Sequence, residues 1–182
     1  MDSMDTKERV AIFVDGSNMY HYIKALGYEP KIQFDYKKFG EWLAGGRQII
    51  SATYYIGKVR ADQSEQSQRL RANQQRLMAW LKQCGWDMEF GHMLKNKGIF
   101  HEKGVDVHIA ADLLRGAYKN LYDTAILVSS DTDLIPAIQY LREEGKKLEY
   151  VGFNHQPSYG LIKYSDVRTL LKRADIEQFQ RN

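Results

Sequence analysis

Thr124-Ala125-Ile126-Leu127-Val128-Ser129-Ser130-Asp131-Thr132-Asp133 carries an unbroken apolar run straight into hydroxyl and acid side chains. A short apolar run bounded by polar residues reads as a strand buried on both faces, the environment of a parallel sheet covered by helices. A helix begins at the acids, with Pro136 in its first turn, where a missing N–H costs little. It ends near Gly145, and Leu148 to Gly152 reads as the last central strand. Upstream, Val10-Ala11-Ile12-Phe13-Val14 repeats the pattern and stops at Asp15-Gly16, and a helix follows from about Ser17 to Leu26, closed by Gly27.

The segments between alternate in the same way. Asp35 has the character of a helix N-cap, followed by Phe39, Trp42 and Leu43 on one face and ended by Gly45-Gly46. Ile49 to Gly57 is rich in β-branched and aromatic residues and reads as a strand. A long polar helix is expected from about Gln63 to Gln83, then an edge-like strand from Trp86 to Leu94, where Asp87 and Glu89 alternate with apolar residues. Asn96 to Gly104 reads as a basic loop or small hairpin, Val105 to Tyr118 as a helix, and Ser165 to Phe179 as a helical tail. Strands alternating with helices predict a three-layer α/β/α architecture with a mostly parallel central sheet. The expectation is a single domain over residues 1–182, with residues 1–9 a flexible tail and 165–182 a C-terminal helix and tail.

Composition bounds the function. A chain of 182 residues, 43% hydrophobic and 27% charged, can bury roughly 70% of its unfolded surface and needs no staple to hold a core. The 26 basic and 23 acidic residues leave a net charge of +3, too little for a uniformly cationic surface and silent about a local patch. Cys84 is the only cysteine, so an internal disulfide and a cysteine-based zinc site are excluded. No apolar run approaches bilayer length, and residues 1–9 have no secretion-signal core; a cytoplasmic protein without a membrane partner is expected.

Ligands of open parallel sheets bind beyond the carboxyl ends of strands, where strand order reverses. If the first and fourth strands lie side by side, Asp15, Asp131 and Asp133 converge there. Asp106, in Lys103-Gly104-Val105-Asp106, sits in the first turn of the helix before the fourth strand and faces the same edge. Taken singly, each acid has a plainer reading: a turn for Asp15-Gly16, caps for Asp131 and Asp133, a charge favoured by the helix dipole for Asp106. Caps have no reason to gather on one edge, whereas clustered carboxylates suit a hard cation, Mg²⁺ or Mn²⁺, which can activate water and offset charge on a phosphodiester. Asp112 lies six positions from Asp106, well around the helix, as a supporting residue or a partner for Arg115.

Together Val14-Asp15-Gly16-Ser17-Asn18, Lys103-Gly104-Val105-Asp106 with Asp112, and Ser129-Ser130-Asp131-Thr132-Asp133 resemble the NYN domain family, in particular its LabA-like branch, within the PIN-like nuclease superfamily. The resemblance spans about Val10 to Phe153 and implies a PIN-like sheet and metal-dependent ribonuclease activity. It implies that Asp15, Asp106, Asp131 and Asp133 hold one or two Mg²⁺ or Mn²⁺ ions, directly or through water. Asn18 would orient substrate or a metal-bound water, with Ser129 and Ser130 assisting. The chain departs from the family pattern with Ser130 in a glycine place and Leu134 in a phenylalanine place, while every acid is kept.

Basic residues fall in the loops assigned to the acidic edge: Lys58 and Arg60 after the second strand, then Lys95, Lys97, His101 and Lys103. Lys58, Arg60 and Lys103 are the candidate contacts to an RNA backbone, with Tyr20, His21 and Tyr22 as aromatic neighbours able to stack on unpaired bases. Solvated loops are the plainer reading of the same residues. A catalytically silent RNA- or protein-binding regulator of the same fold is the alternative function, and the sequence leaves a homo-oligomer open. A haloacid-dehalogenase-type phosphatase wants an acid where Ser17 stands, and a Toprim-like site wants Glu where Asp15 stands.

Overall fold

The computed structural model describes residues 7–28, 34–58, 64–96 and 99–181, and only the backbone at residues 66, 92–96 and 99–103. Six strands form one all-parallel sheet: β1 (Arg9–Asp15), β2 (Gln48–Ile56), β3 (Asp87–Phe90), β6 (Thr124–Val128), β7 (Lys147–Phe153) and β8 (Val167–Leu171), in the order β3-β2-β1-β6-β7-β8. Two further strands, β4 (His92–Asn96) and β5 (Ile99–Lys103), make a separate antiparallel pair. The helices are α1 (Gly16–Ala25), α2 (Tyr36–Ala44), α3 (Glu65–Gln83), α4 (Val105–Tyr118), α5 (Ile135–Glu143), α6 (Tyr159–Tyr164) and α7 (Arg173–Glu177). The expected three-layer α/β/α architecture with a parallel sheet is therefore observed.

Strand periodicity divides the core into two layers. In β1, Val10, Ile12 and Val14 point into one layer while Ala11 and Phe13 point into the other. The first layer packs these residues against Met19 and Ile23 of α1, Phe39 and Leu43 of α2 and Leu81 of α3. The second packs Phe13, Leu127 and Tyr150 against Ile109 and Leu113 of α4 and Ile138 and Leu141 of α5. Burial on both faces explains why β6 reads as five consecutive buried residues rather than as an alternation.

Sequence order sets the position of the site. From β1 the chain steps outward to β2 and β3, then returns through α4 to place β6 on the other side of β1 and steps outward again to β7 and β8. Strand order thus reverses between β1 and β6, the place where a crevice opens beyond the strand ends.

Three expectations need correction. The Ser165–Phe179 segment is not a helical tail: Val167–Leu171 is a strand paired with β7 from Glu149↔Val167 to Phe153↔Leu171, and only Arg173–Glu177 is helical. The unpaired edge of β7 offers hydrogen bonds that outweigh a weak local helical spacing. The strand expected over Trp86–Leu94 ends at Phe90, and after Gly91 the chain turns into the antiparallel hairpin of β4 and β5. Arg9, expected in a flexible tail, opens β1; residues 1–6 lie outside the described residues. Among the described residues, no helix is long and apolar enough to cross a membrane.

Candidate metal centre

The end of β1 is fixed by its own acid. Asp15 closes the strand and also caps α1, accepting the backbone N–H of Asn18 at 3.0 Å. Gly16 is required at this junction because a Cβ there would meet the Tyr54 ring and lie 2.7 Å from the Tyr55 carbonyl oxygen. Next door, β6 pairs in register with β1 as far as Val14↔Val128, which sets Ser129 beside Asp15. The Ser129 hydroxyl donates to Asp15 Oδ2 at 3.2 Å and accepts the N–H of Asp131 at 3.1 Å.

Asn18 closes this network from the other side. Its Nδ2 donates to Asp15 Oδ2 at 2.6 Å, and its Oδ1 accepts the N–H of Ser130 at 3.3 Å. Asp131 caps the short 3-10 turn Thr132–Leu134 by accepting the N–H of Asp133 at 2.9 Å. The plainer reading of Asp15 and Asp131 as caps therefore holds alongside the functional one, because capping is what pins each carboxylate at the strand end. Asp106 behaves differently: α4 is capped by Gly104 in a left-handed conformation, with no side-chain hydrogen bond, so Asp106 in the first turn does not serve as a cap.

Carboxylate oxygens of Asp106, Asp131 and Asp133 lie within 4.8 Å of one another, Asp133 exposed and the other two half-buried. Oxygens across an octahedral ion with bonds of about 2.1 Å stand at most about 4.2 Å apart, so small rotations bring the three onto one hard cation. The donor set and its spacing fit a divalent ion. Asp15, 6% exposed, is not one of these three and is linked to Asp131 through Ser129. Burial raises its carboxyl above the usual range, the hydrogen bonds from Asn18 and Ser129 oppose that rise, and the nearby charge of Asp131 adds to it.

The other expected site residues are scattered. Ser130 is held over the edge by Tyr150, whose hydroxyl is 3.3 Å from Ser130 Oγ and accepts the N–H of Ser158 at 3.0 Å. Tyr150 was not foreseen, since nothing distinguishes it from other apolar residues of a buried strand. Asp112 is away from the acidic group: it accepts the Tyr55 hydroxyl at 2.9 Å and lines a cavity of about 330 Å³ with Arg115 and Tyr122. Lys58 is exposed just past the end of β2, on the same edge as the acids. Arg60 and Lys97 lie outside the described residues, as do the side chains of Lys95, His101 and Lys103.

The sequence profile of the NYN domain matches residues 9–171. The fold is similar to the crystal structure of a protein of unknown function from Vibrio parahaemolyticus, with a TM-score of 0.68 and 24% identity over 94% of this chain and 97% of that one. Lower similarity extends to the bacteriophage T5 flap endonuclease in complex with DNA and metal ions, with a TM-score of 0.37 and 16% identity over 68% of this chain and 49% of that chain. A T5 5′-exonuclease structure with bound zinc gives a TM-score of 0.40 and 16% identity over 71% of this chain and 52% of that one. No curated protein is significantly similar to the chain.

Proposed function

The chain belongs to the NYN domain family, and on that premise we propose that it hydrolyses RNA phosphodiester bonds with a divalent cation held at its acidic edge, as a member of the LabA-like branch. The observation that carries this reading is the group of three carboxylates within 4.8 Å at the point where strand order reverses. Asp106, Asp131 and Asp133 hold the cation, and Asp15 adds a fourth negative charge from behind Ser129. A bound Mg²⁺ or Mn²⁺ would offset charge on the phosphodiester and lower the pKa of water.

The chain's own residues supply position. Ser129 ties Asp15 to the backbone of Asp131, so the two strand ends hold one geometry. Asn18 is locked at both ends of its amide, which leaves its second N–H to meet a phosphate oxygen. Ser130 presents its hydroxyl beside Tyr150. Lys58, at the rim, attracts the phosphate backbone without reading sequence. RNA as the substrate rests on the family resemblance.

The test is cleavage of single-stranded RNA, structured RNA and DNA of matched sequence in Mg²⁺, Mn²⁺ and EDTA, with wild type and Asp131→Asn purified side by side. The expected result is metal-dependent RNA cleavage by wild type alone. Equal traces in both proteins, with RNA still bound in EDTA, would refute the enzyme and favour a silent RNA-binding regulator.

A further inference from the structure

A cavity of about 310 Å³ opens along α1, lined by Ser17, Asn18, His21, Tyr22 and Ala25 of α1 and by Gln156 from the loop after β7, and Asn18 connects it to Asp15 and to the backbone of Ser130 next to Asp131. The α1 residues fall on one face of the helix, and Gln156 follows Phe153, the last residue of β7, so the cavity lies on the carboxyl edge of the sheet. Its size is at the small end of ligand pockets, which start at roughly 300 Å³. Among the described residues, no carboxylate, lysine or arginine lines it. Hydroxyl, amide and imidazole groups do, next to an aromatic ring, a lining that suits a flat, neutral, hydrogen-bonding heterocycle better than a phosphate.

We propose that this cavity is a nucleobase subsite, receiving an unpaired base of the strand whose phosphate lies at Asp106, Asp131 and Asp133. The proposal rests on the nuclease reading and deepens it. Asn18 is the shared wall: its amide holds Asp15 and the Ser130 backbone on one side and lines the cavity on the other. The aromatic side is preorganised. Tyr22 is stacked on Phe153 with ring centroids 4.9 Å apart and 13° between planes, and His155 meets its edge at 5.5 Å. The exposed ring of His21 is steadied by an edge contact with Tyr20 at 5.7 Å. Rings already held in place stack on a base without first losing rotamer freedom.

The experiment is an NMR titration of the metal-free protein with adenosine 5′-monophosphate, uridine 5′-monophosphate and ribose 5-phosphate, repeated on His21→Ala. His21 is exposed and outside the core, so that variant should fold normally. Both nucleotides should shift the His21 ring and the Gln156 side-chain amide, ribose 5-phosphate should not, and His21→Ala should weaken nucleotide binding about tenfold. Equal shifts from ribose 5-phosphate, or none at these atoms from either nucleotide, overturn the subsite even if the protein cleaves RNA. Nucleotide-specific shifts in a protein that cleaves neither RNA nor DNA support the subsite and sink the nuclease reading instead.

Discussion

Asp15 shows how a single buried charge is kept in place. Its carboxylate is 6% exposed and accepts from Asn18 and Ser129, and its pKa is raised mainly by burial. A folded pKa above the ordinary 3.8 means that the folded state binds its proton more tightly than the unfolded chain. The charge therefore costs stability, a cost that appears as pH rises past about 4 and is complete above the folded value. Asp15→Asn, without divalent ions, should have a Tm at pH 7 no lower than wild type, and any advantage should fade below about pH 4. In the same variant cleavage should fall about 100-fold, the scale seen when a partner that orients metal ligands is removed. A lower Tm with unchanged cleavage would show that Asp15 is a structural cap alone. The sequence already marks this residue, because an acid directly after an apolar strand is legible; that Ser129 would hold it is not.

At the scale of elements, the amino-terminal edge of the β1–β6 pair has its own clamp, opposite the site. Arg9 at the start of β1 donates to Asp123 just before β6, with Arg9 Nη2 to Asp123 Oδ1 at 2.7 Å, and reaches the Asn120 carbonyl at 2.8 Å. The Arg9 guanidinium holds the Asp123 carboxyl down at about 2. This depressed value contributes stability that is present above the unfolded pKa and lost as pH falls from about 4 to about 2. Asp123→Asn should therefore lower Tm at pH 7 by about 2 °C, modest because the pair is solvent-screened, and the gap to wild type should close by pH 2. A gap that persists unchanged at pH 2 would mean that packing, not charge, is lost. The alternation of main-sheet strands and helices is readable up to β7, although the expected third strand overruns into β4, since burial on both faces and period-3.6 stripes leave strong local patterns. β8 is not readable, because Val167–Leu171 becomes a strand only where β7 has an edge to offer.

Over the whole molecule, the C-terminus seals the first core layer. Phe179, fully buried, meets Phe39 at 5.2 Å, Trp42 at 5.6 Å and Phe34 at 5.7 Å, and its carbonyl accepts the N–H of Asp35 at 2.7 Å. Phe179→Ala should cost about 3–5 kcal/mol in urea unfolding, because it would leave a cavity among the rings of Phe34, Phe39 and Trp42. A loss below about 1 kcal/mol would show that the end of the chain packs loosely. The same long-range logic divides what can be read early from what cannot. Local pattern alone determined the layer architecture, the strand ends that bear acids and the candidate residues Asp15, Asp106, Asp131 and Asp133, since each rests on neighbours within a few positions. Tertiary structure alone decided which of them meet. β6 lies beside β1 across more than a hundred residues, Asp106 joins Asp131 and Asp133, Asp112 turns away to Tyr55, and Tyr150 and Gln156 arrive from the far side of the switch point. Those meetings depend on how packed layers bring distant strands together, and no local periodicity encodes them.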